Sequence, residues 1–322
     1  MSQVIDLAYE IINGNRLKEG DNLSFFIDCD LEDLCKGADI IREHFTGNKV
    51  DLCSIINGRA GKCPEDCKYC AQSAHYNTNC KTYEFLDEEA IVNACKQNEL
   101  DNVTRFSIVT AGRALTGDEF KKALKAYSRL KEECPEIKLC ASLGFLSKEQ
   151  LLELKNIGVN HYHHNIETSR NYFPQICTTH TFDQKLSTLK ILKEIGMRIC
   201  SGGIIGMGES WEDRIDMALT LSSYKVESIP LNVLMPIPGT PLENQPPMSE
   251  DDILRTIALF KYINPESDIR LAAGRALLSE SGKKAFESGA SATITGNMLT
   301  TAGCANTKSD IEMLTSMGRE IL

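Results

Sequence analysis

The chain has 322 residues, a formal net charge of -10, 42% hydrophobic and 25% charged residues, an acidic balance that argues against the basic stripe of a nucleic-acid surface. No apolar run approaches the roughly 18 to 20 residues that cross a bilayer. Thirteen cysteines without a signal-peptide pattern suggest a soluble cytoplasmic protein with reduced thiols rather than a secreted disulfide scaffold.

Up to about residue 49 the pattern is helical, with a turn at Asn13-Gly14-Asn15. The chain thus divides into an N-terminal helical extension, 1–49, and a barrel, 50–322, whose bottom the extension is expected to plug or flank. From residue 50 onward β-rich segments alternate with amphipathic helical ones. Strands are predicted near Val50-Ile56, Thr104-Thr110, Ile137-Leu143, His161-Ile166, Arg198-Ile205, Ser228-Leu234, Asp268-Ala272 and Ala292-Ile294. Between them the apolar spacing predicts helices over Asp87-Leu100, Asp118-Glu133, Lys148-Ile157, Phe182-Ile195, Trp211-Ser223, Glu250-Ile263 and Ser279-Ser288. Ser147, Thr181, Ser210 and Ser249 are placed as N-caps, and Gly158 and Gly196 stand where helices stop. Eight strands alternating with seven helices in a chain of this length predict an α/β fold, a (β/α)8 TIM-type barrel, with its active site at the C-terminal ends of the strands.

The loop after the first predicted strand carries Cys63-Pro64-Glu65-Asp66-Cys67-Lys68-Tyr69-Cys70. Three thiolates spaced C-x3-C-x2-C hold three corners of a four-iron cluster and leave one iron open to a substrate. A structural zinc site would need a fourth, distant ligand, which His75 or Cys80 could supply. Further along, Cys140, Cys200 and Arg270 fall within predicted strands three, five and seven. Cys140 and Cys200 are 60 residues, two βα units, apart, which gives them comparable depth if the register is regular. A free cysteine is also a common small core residue. A guanidinium inside a barrel, by contrast, needs an anionic partner.

These residues make the chain similar to the biotin synthase family of radical S-adenosylmethionine enzymes. The resemblance runs from about residue 40 to 305. It rests on the Cys63 to Cys70 run followed by Ala-Gln-Ser, on His163-His-Asn165-Ile-Glu167-Thr-Ser, Cys200-Ser-Gly-Gly-Ile, Ser228-Ile-Pro-Leu-Asn232, Ile269-Arg270-Leu-Ala-Ala-Gly-Arg275 and Leu299-Thr300-Thr301. It implies that a 4Fe-4S cluster on Cys63, Cys67 and Cys70 chelates S-adenosylmethionine, whose one-electron cleavage gives a 5'-deoxyadenosyl radical. That radical takes hydrogen from dethiobiotin, and an auxiliary iron-sulfur cluster supplies the sulfur that closes the ring. It further implies that the backbone at Tyr69 meets the adenine and that Asn165 and Glu167 hold the ribose hydroxyls, Glu167 replacing the family's more familiar aspartate. Lys185 would meet the methionyl carboxylate, and Ile204 and Met235 would pack the adenine. Asn165 and Asn232 would bond the ureido ring of dethiobiotin, an amide being both donor and acceptor. The backbone amides of Thr300 and Thr301 would hold the substrate carboxylate. No side chain is assigned as acid, base or nucleophile. A reduced flavodoxin or ferredoxin as electron donor and a homodimer are family expectations.

The chain departs from the family at one ligand. The better-known form holds a 2Fe-2S auxiliary cluster with three cysteines and an arginine, and the cysteine expected on the second strand is Ser107 here. Cys53 on the first strand is expected to face Ser107 and to replace that ligand. The auxiliary set becomes Cys53, Cys140, Cys200 and Arg270, with Arg270 either a ligand or a neighbouring cation and Ser107, as an alkoxide, the alternative to Cys53; it is suited to a 2Fe-2S cluster or to a larger four-iron cluster with an exchangeable ligand. His161, His163 and His164 are left out, because adjacent strand residues point to opposite faces. The remaining cysteines, Cys177 among them, are read as ordinary core or surface thiols. Two other functions compete. Another radical S-adenosylmethionine barrel, such as a hydrogenase-cofactor maturase, would share the first cluster but not both the Asn232 motif and the Cys140, Cys200 and Arg270 set. A non-catalytic iron-sulfur or zinc carrier leaves Asn165, Glu167 and Arg270 without a use.

Overall fold

The structure is a computed structural model that describes residues 2–296 and 306–322. Strands β1 (Lys49–Arg59), β2 (Arg105–Thr110), β3 (Lys138–Ser142) and β4 (His161–His163) run parallel in sequence order. They are followed by β5 (Arg198–Cys200) with its continuation β6 (Gly203–Ile205), then β7 (Ser228–Val233), β8 (Asp268–Leu271) and β9 (Ala290–Ile294). Parallel pairing of β9 with β1 closes the sheet, so the expected eight-position barrel is present. A two-residue strand, β10 (Glu320–Ile321), adds to the start of β1.

The fifth barrel position is broken where the sequence predicts one continuous strand. Ser201 and Gly202 interrupt it, and the glycines at 202 and 203 explain how the chain fits. A Cβ on Gly202 would lie 2.0 Å from the carbonyl oxygen of Pro230, and one on Gly203 would lie 2.3 Å from that of Glu167. Only glycine lets the backbone approach that closely. Ile204 then donates its amide to the Glu167 carbonyl at 2.8 Å, fastening the end of β4 to β6.

Helices Glu88–Leu100, Gly117–Glu133, Lys148–Asn156, Phe182–Glu194, Trp211–Ser223 and Glu250–Ile263 fill the crossovers. Ser147, Thr181, Ser210 and Ser249 each accept a hydrogen bond from the N3 amide, as placed from sequence. The last predicted helix, Ser279-Ser288, is not continuous. Glu280 and Ser281 adopt left-handed conformations at φ 47° and 56°, which splits the segment into the short turns Ser279–Gly282 and Lys283–Phe286.

The N-terminal helices Gln3–Ile12, Phe25–Asp28 and Leu31–Thr46 flank the barrel. Ala8, Ile11, Phe26, Leu34 and Ile41 are buried in one core with the helix Glu250–Ile263. Tyr262 donates to the Val4 carbonyl at 2.8 Å, and Arg255 to those of Phe26 and Cys29. Among the described residues no helix is long and apolar enough to cross a membrane.

Candidate functional site

Register alone assembles the interior set. Cys53 pairs with Arg105, which pairs with Lys138, two residues before Cys140 on the same strand. Cys140 pairs with His161 and that with Arg198, again two residues before Cys200. Cys200 pairs with Ser228 and that with Asp268, two residues before Arg270. Arg270 pairs with Ala292 and that with Asp51, two residues before Cys53. The circuit returns to its start after a displacement of eight residues, the shear of a (β/α)8 barrel, whose interior layers each take four side chains from alternate strands. Cys53, Cys140, Cys200 and Arg270 therefore form one layer.

The sequence predicts Cys53 opposite Ser107. The register instead sets Ile55 opposite Ser107 and Cys53 opposite Arg105, two residues deeper. Ser107 pairs with Cys140 but lies on an intervening strand, so it belongs to a different layer. All of these residues line one cavity of about 200 Å³, together with His161, His163, Asn165, Ser228 and Asn232.

The charges in this cavity are unusual for a core. Asp51 sits between Arg105, at 2.5 Å, and Arg270, at 3.4 Å, and all three are buried. Burial disfavours the Asp51 carboxylate, but Arg270 and then Arg105 outweigh it and hold the carboxyl below its usual range. Arg270 also donates to Ser228 Oγ and to the Asp51 and Thr293 carbonyls. Arg105 donates to His161 Nδ1 at 2.8 Å and approaches Cys140 Sγ at 3.6 Å. Two guanidinium groups against one carboxylate leave an excess of positive charge. Burial holds His161 and His163 neutral, down to about 2 and about 4 respectively.

The three thiols meet that charge. Burial pushes Cys53 and Cys200 up and Cys140 up to about 11, opposed by Arg270 at Cys53 and Cys200 and by Arg105 at Cys140. A cavity with three thiols and surplus cations is suited to an anionic metal-sulfur group, which would deprotonate the thiols by ligating them. His163 Nδ1 lies 3.3 Å from Cys200 Sγ, close enough to bond a ligated sulfur.

Above this layer, the loop after β1 carries Cys63, Cys67 and Cys70, all half-buried. It closes on itself through Cys63 N–H to Gln72 O, Ala74 N–H to Cys63 O and Cys70 N–H to Cys67 O. It is clamped to the segment after β4, because the Lys68 amide donates to the Ile176 carbonyl and Asp66 accepts from the Thr178 and Thr179 amides. Burial raises Cys63, and raises Cys70 to about 11. Burial thus favours the neutral thiols, and ligation to an iron-sulfur cluster on this loop would hold them as thiolates.

Glu167 and Lys185 exert charge on Cys67, and Glu167 also on Tyr69 and Cys70, so the end of β4 and the cysteine loop converge on one space. Glu167 holds a left-handed φ of 74°, and Lys185 Nζ lies 3.9 Å from its carboxylate and 5.3 Å from the Phe145 ring centre. Asn165 accepts from the Gly202 amide at 2.9 Å and approaches the Glu167 carboxylate at 3.4 Å. Asn232 donates to the Gly203 carbonyl and accepts from the Ala273 amide. Each asparagine keeps a spare N–H and lone pair toward the cavity. Ile204 pairs with Asn232 in register. Met235 is half-buried in the loop after β7, and Tyr69 packs half-buried on the core. Thr300 and Thr301 lie outside the described residues.

Two residues, Arg105 and Cys177, escape a reading of the sequence, and a third, His163, is set aside by it. Arg105 is two positions before Ser107 on an inward-facing parity, a signal available once the strand is placed. His163 shares that inward parity with His161. Cys177 reads as an ordinary thiol away from the barrel axis, yet its Sγ lies 3.8 Å from Cys67 Sγ. Nothing local marks it, since the two are 110 residues apart.

Known proteins resemble this chain in both sequence and fold. A model described as "Radical SAM superfamily" matches residues 59–221, and one described as "Biotin and Thiamin Synthesis associated domain" matches 230–320. The chain is 56% identical to a biotin synthase of Clostridium beijerinckii over 98% of its own length and 99% of that protein's. It is 55% identical to one of Alkaliphilus metalliredigens, over 97% and 98%. Among solved structures, methylornithine synthase superposes with a TM-score of 0.83 at 20% identity, covering 98% of this chain and 97% of that one. The hydrogenase maturase HydG superposes at 0.83 with 14% identity, covering 99% and 75%. These two matches bear on the fold alone.

Proposed function

The chain belongs to the biotin synthase family, radical S-adenosylmethionine enzymes that insert sulfur into dethiobiotin, and within that family we propose how its two thiol sets divide the work. Membership carries with it a 4Fe-4S cluster, S-adenosylmethionine and dethiobiotin. Cys63, Cys67 and Cys70 hold the cluster that cleaves S-adenosylmethionine. Cys53, Cys140, Cys200 and Arg270 hold the auxiliary iron-sulfur cluster that gives up its sulfur. The observation that carries the second assignment is the single interior layer those four residues form.

The protein's own contribution is positioning and exclusion of water. Glu167 and Asn165 offer acceptors to the ribose hydroxyls, Lys185 offers a cation to the methionyl carboxylate, and Ile204, Met235 and the Tyr69 backbone bound the adenine. Asn165 and Asn232 bond the ureido ring from either side, which suspends the substrate between the mouth and the interior layer. Thr300 and Thr301 complete this assignment at the substrate carboxylate. Arg270 and Arg105 balance the charge of the auxiliary cluster, and Asp51 holds both guanidinium groups in place. Three thiols with an arginine in one layer suit a 2Fe-2S cluster or a larger four-iron cluster with an exchangeable ligand. The division at residues 49 and 50, a flavodoxin or ferredoxin donor, a cytoplasmic location and a homodimer belong to the same proposal; the last three rest on the family.

Iron and sulfide analysis with Mössbauer spectra of the anaerobic protein tests the assignment. Cys53→Ala is expected to lose the auxiliary signal, keep the 4Fe-4S signal and still cleave S-adenosylmethionine while forming no biotin. Unaltered 2Fe-2S signals in Cys53→Ala would reject the Cys53 ligand. Retention of both signals in Cys140→Ala would reject the layer altogether.

A further inference from the structure

The segment after β4 sets a thiol that neither cluster uses against one of the mouth ligands. Cys177 Sγ lies 3.8 Å from Cys67 Sγ, a contact distance for two reduced sulfurs. The backbones that carry them are fastened together on both sides of the pair. The Lys68 amide donates to the Ile176 carbonyl at 2.9 Å, and Asp66 accepts from the Thr178 and Thr179 amides at 2.9 Å and 3.1 Å. The two segments therefore lie one hydrogen bond apart where the cysteines stand. Closing the sulfurs to the roughly 2.05 Å of a disulfide asks for side-chain rotation rather than backbone rearrangement.

The two thiols differ in what reaches them. Cys67 is half-buried, whereas Cys177 is 3% exposed, so a small oxidant from solvent meets Cys67 first. The Cys177 thiol donates to Asp66 Oδ1 at 3.3 Å, and its sulfur lies 3.3 Å from His180 Nδ1 and 3.6 Å from Thr179 Oγ1. His180 is itself fixed, by Glu65 and by the edge-on rings of Phe145 and Phe173. These contacts hold the Cys177 sulfur beside Cys67 and give its proton a carboxylate to move to.

We propose that Cys67 and Cys177 form a reversible disulfide when the mouth cluster is lost, with hydrogen peroxide as the oxidant. The proposal rests on the assignment of Cys67 to the 4Fe-4S cluster. The freed Cys67 sulfur attacks the peroxide: an S–O bond forms, the O–O bond breaks and one water leaves, giving the sulfenic acid. The Cys177 sulfur then attacks the Cys67 sulfur, so that an S–S bond forms and the S–O bond breaks. The hydroxide leaves as a second water with the proton that Cys177 passes through Asp66. The two thiols give up two electrons and the peroxide takes them. Without a thiol beside it, the sulfenic acid goes on to sulfinic and sulfonic acids, which thiol reductants do not reverse. The disulfide keeps Cys67 recoverable as a ligand, and withholds it from a new cluster until a thiol reductant opens the bond.

Peroxide treatment of the reconstituted full-length enzyme, followed by alkylation of free thiols and digestion without reductant, reads the bond by mass spectrometry. The expected product is the peptide holding Cys67 joined to the peptide holding Cys177, with fragmentation placing the bond between those two residues. Dithiothreitol, then iron and sulfide, should restore most of the 4Fe-4S signal in the peroxide-treated wild type and little in Cys177→Ser, where Cys67 is expected as the sulfinic acid. Circular dichroism and reconstitution without peroxide show that the variant is folded, and the wild-type digest decides alone should it not be. Equal recovery in the two proteins, or Cys67 bonded chiefly to Cys63 or Cys70, overturns the proposal. Retention of the 4Fe-4S signal in Cys67→Ala would instead overturn the cluster assignment on which it rests.

Discussion

The mouth and the interior of this barrel both gather three thiols, but by opposite means. At the mouth, Cys63, Cys67 and Cys70 belong to one loop, half-buried, within an eight-residue run and held by backbone hydrogen bonds. In the interior, Cys53, Cys140 and Cys200 come from three strands, with the cations Arg105 and Arg270 and a single carboxylate, Asp51. A loop can lose a ligand and keep its fold, because its thiols carry little of the core. The interior layer cannot be edited as freely, since two buried guanidinium groups there depend on one carboxylate.

Asp51→Ala puts the greatest load on this contrast. It leaves two buried guanidinium groups uncompensated and is expected to cost the cluster-free protein about 3–5 kcal/mol in urea unfolding. Cys67→Ala, which trims a half-buried thiol at the edge of the core, should cost only about 1 kcal/mol while reducing S-adenosylmethionine cleavage to background. Equal stability losses in the two variants would erase the distinction between the regions.

Glu167→Gln probes the space between them. Replacing a charged acceptor of the ribose hydroxyls with a neutral one is expected to raise KM for S-adenosylmethionine about tenfold, as for a lost hydrogen bond to a charged group, with the 4Fe-4S spectrum unchanged. An unchanged KM would remove Glu167 from the nucleoside site.

The smallest effect concerns His164, which is buried against Phe145 and held neutral, its pKa driven well below the usual value by burial and by the Lys185 charge. Because the folded value is depressed, the unfolded chain gains a proton below about pH 6.5 that the folded one refuses, so stability is full above that pH and falls as the pH drops. His161 and His163 act in the same direction. Urea titrations of cluster-free protein between pH 7 and pH 5 should show a slope shallower in His164→Leu by up to about 1.4 kcal/mol per pH unit. Parallel curves would mean that His164 takes up its proton as readily in the folded state as in the unfolded one.

The amino-acid sequence by itself determined the barrel, most helix ends and the gathering of three cysteines at the mouth. Alternating βα periodicity, the caps at Ser147, Thr181, Ser210 and Ser249, and the C-x3-C-x2-C spacing are all local, and local patterns survive in one dimension. It also supplied Cys140, Cys200 and Arg270 as candidates. What it leaves wrong or unseen depends on contacts between distant strands. Sequence spacing sets Cys53 opposite Ser107, but pairing gives that position to Ile55 and places Arg105 beside Cys53. The strand break at Ser201 and Gly202, the Asp51 bridge between two arginines and the approach of Cys177 to Cys67 likewise arise only when the sheet closes. The residues of a layer are separated by whole βα units, and their common depth is fixed by register and shear, which only the tertiary structure decides.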